Sequence, residues 1–128
     1  MMTSQGTAHG RFQRAIQHRN LFAAEMAARE MEQMTLANAL ALTLLISEEN
    51  PERYERAAMR WHARFVEEAR GLSLPDSRLV LAALDSLPGA GRTAAARALA
   101  QLGRTYGVNG LEAVLRSVID MDEDSRSP

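Results

Sequence analysis

Arginines and aromatic residues alternate in the stretch PERYERAAMRWHARFVEEAR at 51–70, a combination that could bind nucleic acid. Guanidinium groups pair with phosphates, and aromatic rings stack on exposed bases. On a helix that advances about 100° per residue, however, Tyr54, Trp61 and Phe65 share one face. The opposite face carries the arginine ridge, which consists of Arg53, Arg56, Arg60 and Arg64. The spacing therefore predicts an amphipathic helix with buried aromatic residues and a solvated ridge that is partly paired with nearby glutamates.

A second basic segment spans residues 9–19 and precedes the first acidic residue, Glu25. Its arginines are Arg11, Arg14 and Arg19. If this segment lies beside the arginine ridge, the two form a patch that attracts phosphates or an acidic protein. The net charge of −1 and the isoelectric point of 6.3 argue against a dedicated nucleic-acid binder, because such proteins are strongly basic. Nucleic-acid binding is therefore the alternative prediction.

The segment SLPGAGRT at 86–93 resembles the Walker A loop of AAA-type ATPases, and VIDMDE at 118–123 superficially resembles a Walker B segment. The shared residues are Pro88, Gly89, Gly91 and Thr93. Ser86 occupies the first glycine position, however, and Arg92 replaces the lysine that contacts the β- and γ-phosphates. A phosphate-binding loop also follows a buried strand of a parallel sheet, and the chain has no strand pattern. The sequence therefore predicts a helix end and a turn here, with no bound cofactor.

No other residue pattern indicates catalysis or metal binding. The chain has no cysteine, so it has neither a thiolate nucleophile nor a disulfide. A helical zinc pair requires a second histidine three or four residues away, and none of His9, His18 and His62 has one. His62 adjoins Trp61 and is predicted to be a packing or surface residue. We therefore expect no metal, no cofactor and no enzymatic activity.

Apolar residues recur at helical spacing almost throughout the chain, whereas no stretch sustains the alternation of a strand. The pattern predicts one all-α domain over residues 11–121. Its six helices are predicted at roughly 11–33, 36–49, 51–70, 74–87, 92–104 and 110–121, and a break of the first helix near Asn20 is left open. Residues 1–10 and the acidic residues 122–128 lack large apolar side chains apart from methionine, so both are predicted to be disordered tails.

Capping residues mark the helix starts and suggest an internal repeat. Thr35 and Ser73 precede similar apolar segments, and Asn109 begins the last helix after a comparable interval. Asn50 is predicted to cap the helix that has Pro51 at its first position. These starts predict three α-hairpins, at 11–49, 51–87 and 92–121. The sequence leaves open whether the hairpins stack as a solenoid or pack as an irregular bundle.

Three methionines lie among the alanines of the first predicted helix, at Met26, Met31 and Met34. Methionine fills gaps in protein cores and also forms adaptable docking surfaces for partner helices. The longest apolar run, at 36–46, is much shorter than the ~20 residues of a membrane span, so no membrane association is expected. The predicted partner is therefore another protein, and self-association into a homo-oligomer is a further option.

The segments LFAAEMAAREM at 21–31 and PERYERAAMRWHARFVEEARGLSL at 51–74 resemble parts of small, uncharacterised helical proteins of actinobacteria. The similarity extends over roughly residues 11–105 and implies a bacterial, intracellular helical protein, without assigning any functional residue. The lack of a signal-peptide pattern and of cysteine agrees with a cytoplasmic location. We therefore predict a non-enzymatic helical interaction or adaptor module, with a nucleic-acid-associated regulator as the alternative.

Overall fold

The computed structural model describes the backbone of residues 7–126 and the side chains of residues 7–122. Within these limits the chain forms seven α-helices and one short 3₁₀ turn, Pro51–Arg53, without any strand. The helices are α1 (Ala8–Gln17), α2 (Leu21–Glu30), α3 (Leu36–Glu49), α4 (Tyr54–Glu68), α5 (Leu74–Ser86), α6 (Arg92–Thr105) and α7 (Leu111–Arg126). The predicted all-α class is confirmed. Residues 1–6, 127 and 128, which belong to the predicted tails, lie outside the described residues.

The first predicted helix consists of two helices that meet at Asn20. The Asn20 side chain caps α2, because its Oδ1 accepts a hydrogen bond from the backbone N–H of Ala23 over 3.0 Å. Arg19 precedes this cap with a φ of 56°, a left-handed conformation that turns the chain between α1 and α2. The described chain therefore contains seven helices where six were predicted.

The first and last helices also extend beyond their predicted ends. Thr7 caps α1 by accepting a hydrogen bond from the backbone N–H of Gly10 over 3.0 Å, so this helix begins at Ala8, within the predicted tail. At the other end, α7 continues past the predicted end at residue 121 and reaches Arg126.

Two of the four predicted caps are confirmed. The hydroxyl groups of Thr35 and Ser73 each accept a hydrogen bond from the backbone N–H three residues later, over 3.1 Å. The prediction for Asn109 is wrong by one residue, because Gly110 directly precedes α7. Asn50 occupies the N-cap position before Pro51, as predicted, but its side chain makes no capping hydrogen bond. Its carbonyl oxygen instead accepts the N–H of Arg53 over 3.0 Å and closes the 3₁₀ turn.

The main core lies among α3, α4, α5, α6 and α7 and contains the aromatic residues of α4. Trp61 is 2% exposed, and its indole N–H donates to the Leu36 carbonyl oxygen of α3 over 2.9 Å. Its ring centroid lies 5.5 Å from that of the buried Phe65. The Tyr54 hydroxyl donates to the Leu84 carbonyl oxygen of α5 over 2.6 Å. The predicted burial of these aromatic residues is confirmed, so none of the three is placed to stack on a nucleic-acid base.

A smaller apolar cluster joins α1 and α2 to α3. Its buried residues are Phe12, Ala15, Ala24, Ala27 and Leu45. Most of these are alanines, and the free energy of burial scales with apolar area. The apolar attachment of α1 and α2 is therefore weaker than that among the helices of the main core.

Helix α3 contacts α7, although three helices separate them in sequence. Gly110 has a φ of 86°, and a Cβ there would lie 3.0 Å from the Cβ of Ala37, so a glycine allows the two helices to approach. The helices of the predicted hairpin 51–87 contact each other less extensively than α3 contacts α4. Because solenoid repeats contact only their neighbours, the α3–α7 contact identifies the fold as an irregular helical bundle.

Candidate protein-docking surfaces

Three of the arginines identified in the sequence form ion pairs between separate elements. The pairs are Arg11–Glu30, Arg53–Glu25 and Arg19–Glu48. Arg11 donates two hydrogen bonds to the Glu30 carboxylate, at 2.9 and 2.8 Å. These pairs connect α2 with α1 and with the 3₁₀ turn before α4, and they connect the α1–α2 turn with α3. They also neutralise charges that could otherwise attract phosphates.

The arginine ridge is divided between paired and unpaired members. Arg53 contacts α2 through Glu25, and Arg64 donates to Glu68 of the same helix over 2.8 Å. Arg56 and Arg60 are exposed, and no ion pair joins either of them to another described residue. The arginine ridge and the basic segment therefore do not form one patch of unpaired positive charge.

The ion pairs of α2 lower the pKa values of their carboxyl groups. The hydrogen bond from Arg53 lowers the pKa of Glu25, and that from Arg11 lowers the pKa of Glu30. A hydrogen bond from a cation stabilises the ionised form of a carboxyl group. Both carboxylates therefore stay ionised to a lower pH than an ordinary glutamate does, and the pairs lose their charge attraction only under acidic conditions.

The three candidate docking methionines occupy different environments. Met31 and Met34 are half-buried and pack against the smaller cluster, where they fill space in a core. Met26 is 43% exposed on α2, and Phe22, one turn earlier, is 76% exposed. Sequence reasoning missed Phe22, although its spacing of four residues from Met26 was a readable signal.

Phe22 and Met26 border a groove between α1 and α2. Both lie on the side of α2 opposite the buried Ala24. The groove has a volume of about 600 Å³. Its titratable lining residues are Arg11, Arg14 and His18, and no carboxylate is among the lining residues. We define the Phe22 surface as Phe22 and Met26 together with Arg14 and His18, so that it combines an apolar face with a basic rim.

A second apolar concavity, the α4–α5 cavity, lies between α4 and α5 near the end of α3. Its volume is about 390 Å³. Its apolar lining includes Tyr54, Ala58, Met59, Leu81 and Leu84. Glu55 and Asp85 also line it and are exposed, and no basic residue is among the lining residues. Neither carboxylate forms an ion pair within the described part of the chain, so this cavity combines an apolar wall with an acidic rim.

The hydroxyl group of Tyr54 forms part of the cavity wall and is held in one protonation state. Burial, and secondarily the charge of Asp85, raise the pKa of Tyr54 to about 12. The hydroxyl therefore stays protonated over the physiological range and retains its hydrogen bond to the Leu84 carbonyl oxygen. Tyr54 thus lines the cavity, while its hydroxyl group already has a hydrogen-bond partner.

No protein-family model, curated protein or solved structure matches this chain. Over the described residues, no group of histidine and acidic side chains is arranged to hold a metal ion. None of the described helices combines the length and the apolar character needed to cross a membrane. The surfaces of the chain itself must therefore indicate what it binds.

A third groove, among α1, α3 and α7, has an apolar lining and no net charge. Its volume is about 340 Å³, and its apolar lining includes Ile16, Leu44 and Val118. The charged residues that line it, Arg19 and Glu48, pair with each other. This groove therefore gives no charge preference to a ligand, unlike the Phe22 surface and the α4–α5 cavity.

The Walker-like segment forms a turn between two helices. Ser86 ends α5 and Arg92 begins α6, so a helix, and not a strand, leads into the turn. The Arg92 Nε–H donates to the Gly89 carbonyl oxygen over 3.2 Å, which holds the guanidinium group against the turn. Thr93 donates its hydroxyl hydrogen to the Asp122 carboxylate of α7. The two motif-like segments thus belong to a contact between helices.

His62 connects α4 with α5. Its Nε2 lies 3.0 Å from the Ser77 hydroxyl oxygen and 3.2 Å from the Ser77 carbonyl oxygen. A serine–histidine pair can begin a catalytic triad, but a third group must orient the imidazole. No described carboxylate bonds to the other ring nitrogen of His62. The pair therefore supports helix packing, in agreement with the role predicted for His62.

Proposed function

We propose that this chain is a non-enzymatic protein-interaction module of a bacterial cytoplasm and that its partner docks on the Phe22 surface. The observation that carries this proposal is the 76% exposure of Phe22 beside the half-exposed Met26. Burial of one such side chain contributes roughly 1.5–3 kcal/mol. Apolar residues that lie together at a surface and are rimmed by polar groups commonly mark an interaction site.

The charges around Phe22 favour a partner surface that is apolar and flanked by carboxylates. Arg14 and His18 lie on the α1 side of the groove, and no acidic residue lines it. Complementary charges increase the association rate and the specificity of an apolar contact more than its affinity. The partner is therefore expected to bring acidic residues beside the apolar group that covers Phe22.

A nucleic-acid-associated regulator has less support. Of the arginines that would contact phosphates, Arg11, Arg19, Arg53 and Arg64 pair with glutamates of the same chain. The buried aromatic residues of α4 are not placed to stack on bases. Titration of the purified protein with duplex and single-stranded DNA is expected to show no binding even at low salt. Binding that weakens steeply with salt would favour the regulator instead.

Cross-linking and capture from the native cell tests the proposed docking site. The wild type is compared with a Phe22→Ala/Met26→Ala variant and with Leu74→Ala, which also truncates a 70% exposed side chain but lies at the start of α5. Proteins captured by the wild type and by the Leu74 variant are expected to be lost with the Phe22/Met26 variant. Equal capture by all three forms would contradict a partner that docks on Phe22.

A further inference from the structure

The Phe22 surface and the α4–α5 cavity are opposite in charge. Phe22 projects from α2 into solvent, whereas the cavity is a concave apolar site. The rim of the Phe22 surface carries Arg14 and His18, and the rim of the cavity carries Glu55 and Asp85. The residues that line the two sites do not overlap. One copy of the chain can therefore use both sites at the same time.

We propose that the Phe22 surface of one copy docks onto the α4–α5 cavity of a second copy, so that the copies associate head to tail. This inference rests on the proposed function, because it names the protein that covers the Phe22 surface. In such an assembly each copy both inserts an aromatic ring and receives one. Head-to-tail contacts of this kind generate rings when the rotation closes and filaments when it does not.

The cavity is large enough to receive the Phe22 ring. Its volume is about 390 Å³, whereas pockets of about 300–1,000 Å³ hold whole drug-sized ligands. Its wall offers the Tyr54 ring and the Met59 thioether, two groups that make favourable contacts with an aromatic side chain. Because the Tyr54 hydroxyl already donates to Leu84, an incoming apolar group does not deprive it of its hydrogen-bond partner.

Charge favours this arrangement over a symmetric dimer. In a two-fold dimer the same patch faces itself on the two copies. Two Phe22 surfaces would then bring Arg14 close to its own counterpart, and two cavities would oppose their rim carboxylates. Like charges brought together at an interface oppose association. Docking of the Phe22 surface on the cavity brings Arg14 towards Glu55 and Asp85 instead.

The rim carboxylates of the cavity differ from other acidic residues of the chain. Glu25, Glu30 and Glu48 pair with arginines of the same copy. Glu55 and Asp85 have no such pair within the described residues, so their charges are available to a second copy. The net charge of −1 also produces little repulsion between copies.

Sedimentation velocity of the purified full chain tests the self-association. The weight-average mass of the wild type is expected to rise with protein concentration beyond that of a dimer, because every added copy presents another free site. It is expected to fall when salt is added, because charges at the rims are screened over about 10 Å at 0.1 M ionic strength.

Two variants separate the two sites. Phe22→Ala removes the projecting ring, and Glu55→Arg/Asp85→Arg reverses the charge of the cavity rim. All three residues are exposed, so both variants are expected to keep the wild-type helical circular dichroism. Each variant alone is expected to stay monomeric. An equimolar mixture is expected to form one-to-one dimers and nothing larger, since only one intact cavity and one intact Phe22 can combine.

The inference is overturned if the wild type stays monomeric at every concentration, or if the mixture contains no dimer. It is also overturned if the charge-reversed variant associates as well as the wild type does. Capture from cells separates this failure from that of the proposed function. A monomeric wild type whose captured proteins depend on Phe22 retains the docking surface and rejects only the second copy as its occupant. A monomeric wild type without such captured proteins rejects both.

Discussion

The α1–α2 hairpin and the main core of α3–α7 are held together by different forces. The main core buries large side chains such as Trp61, Phe65 and Leu99. The hairpin buries mostly alanines and is tied to the rest of the chain by ion pairs such as Arg53–Glu25. The same hairpin also exposes Phe22. Binding surfaces are commonly drawn from the less stable parts of a fold, and here the proposed docking surface lies on the more weakly attached unit.

The largest expected effect comes from truncating one phenylalanine in each region. Phe65→Ala is expected to lower the free energy of unfolding by about 3–5 kcal/mol in urea denaturation, because it leaves a cavity in the main core. Phe12→Ala removes an equally buried side chain from the smaller cluster. Hydrogen exchange is expected to accelerate mainly within residues 8–30 of this second variant. Uniform acceleration along the whole chain would show that the two regions unfold as one unit.

A smaller effect is expected where α6 and α7 approach each other. A Cβ at Gly103 would lie 2.9 Å from the Leu111 Cδ1 and 3.2 Å from the Val108 carbonyl oxygen. Gly103→Ala is therefore expected to lower the free energy of unfolding by about 1–3 kcal/mol through overpacking of the main core. Gly91→Ala is the matched control, because its Cβ would meet only the Ser86 Cβ at 3.9 Å. Equal stability of the two variants would contradict the close helix packing at Gly103.

The smallest effect is expected on acidification, which should loosen α1–α2 before the main core. Glu25 and Glu30 have pKa values below the ordinary range in the folded chain. Their ion pairs therefore contribute fully above the ordinary glutamate pKa of about 4.3, and the contribution is lost as the pH falls through the lowered values. Residue-resolved NMR is expected to show changes in α1–α2 at a higher pH than in α5–α6.

A Glu25→Gln/Glu30→Gln variant provides the comparison for this acid effect. The amides do not titrate, so α1–α2 should be loosened at neutral pH and should respond less to acid. Glu68→Gln is the matched control, because its pair with Arg64 lies within α4 and joins no two helices. Simultaneous changes of α1–α2 and the main core on acidification of the wild type would remove the distinction between the two regions.

The parts of the fold that depend on local pattern could be predicted from the sequence. The helical spacing of Tyr54, Trp61 and Phe65 predicted a buried aromatic face, and the structure confirms it. The caps at Thr35 and Ser73 and the break at Asn20 are also local, because each depends on a side chain and a backbone group a few residues apart. Such interactions need no knowledge of the tertiary arrangement.

The exposure of Phe22 was missed although the pattern of α2 carries a signal for it. In LFAAEMAARE, helical spacing places Glu25 and Arg29 on the same side as Phe22 and places the buried Ala24 on the opposite side. The pairing of Arg53 with Glu25 and the contact of α3 with α7, in contrast, depend on how distant segments meet. Spacing along the chain therefore could not show which arginines remain unpaired.

The contact between α3 and α7 also affects how the chain completes its fold during synthesis. Ala37 of α3 leaves the ribosome long before Leu111 and Leu115 of α7, which complete the main core. Until α7 has emerged, part of α3 faces water, and exposed apolar surface of this kind recruits chaperones and favours aggregation. The main core is therefore complete only after α7 has left the exit tunnel.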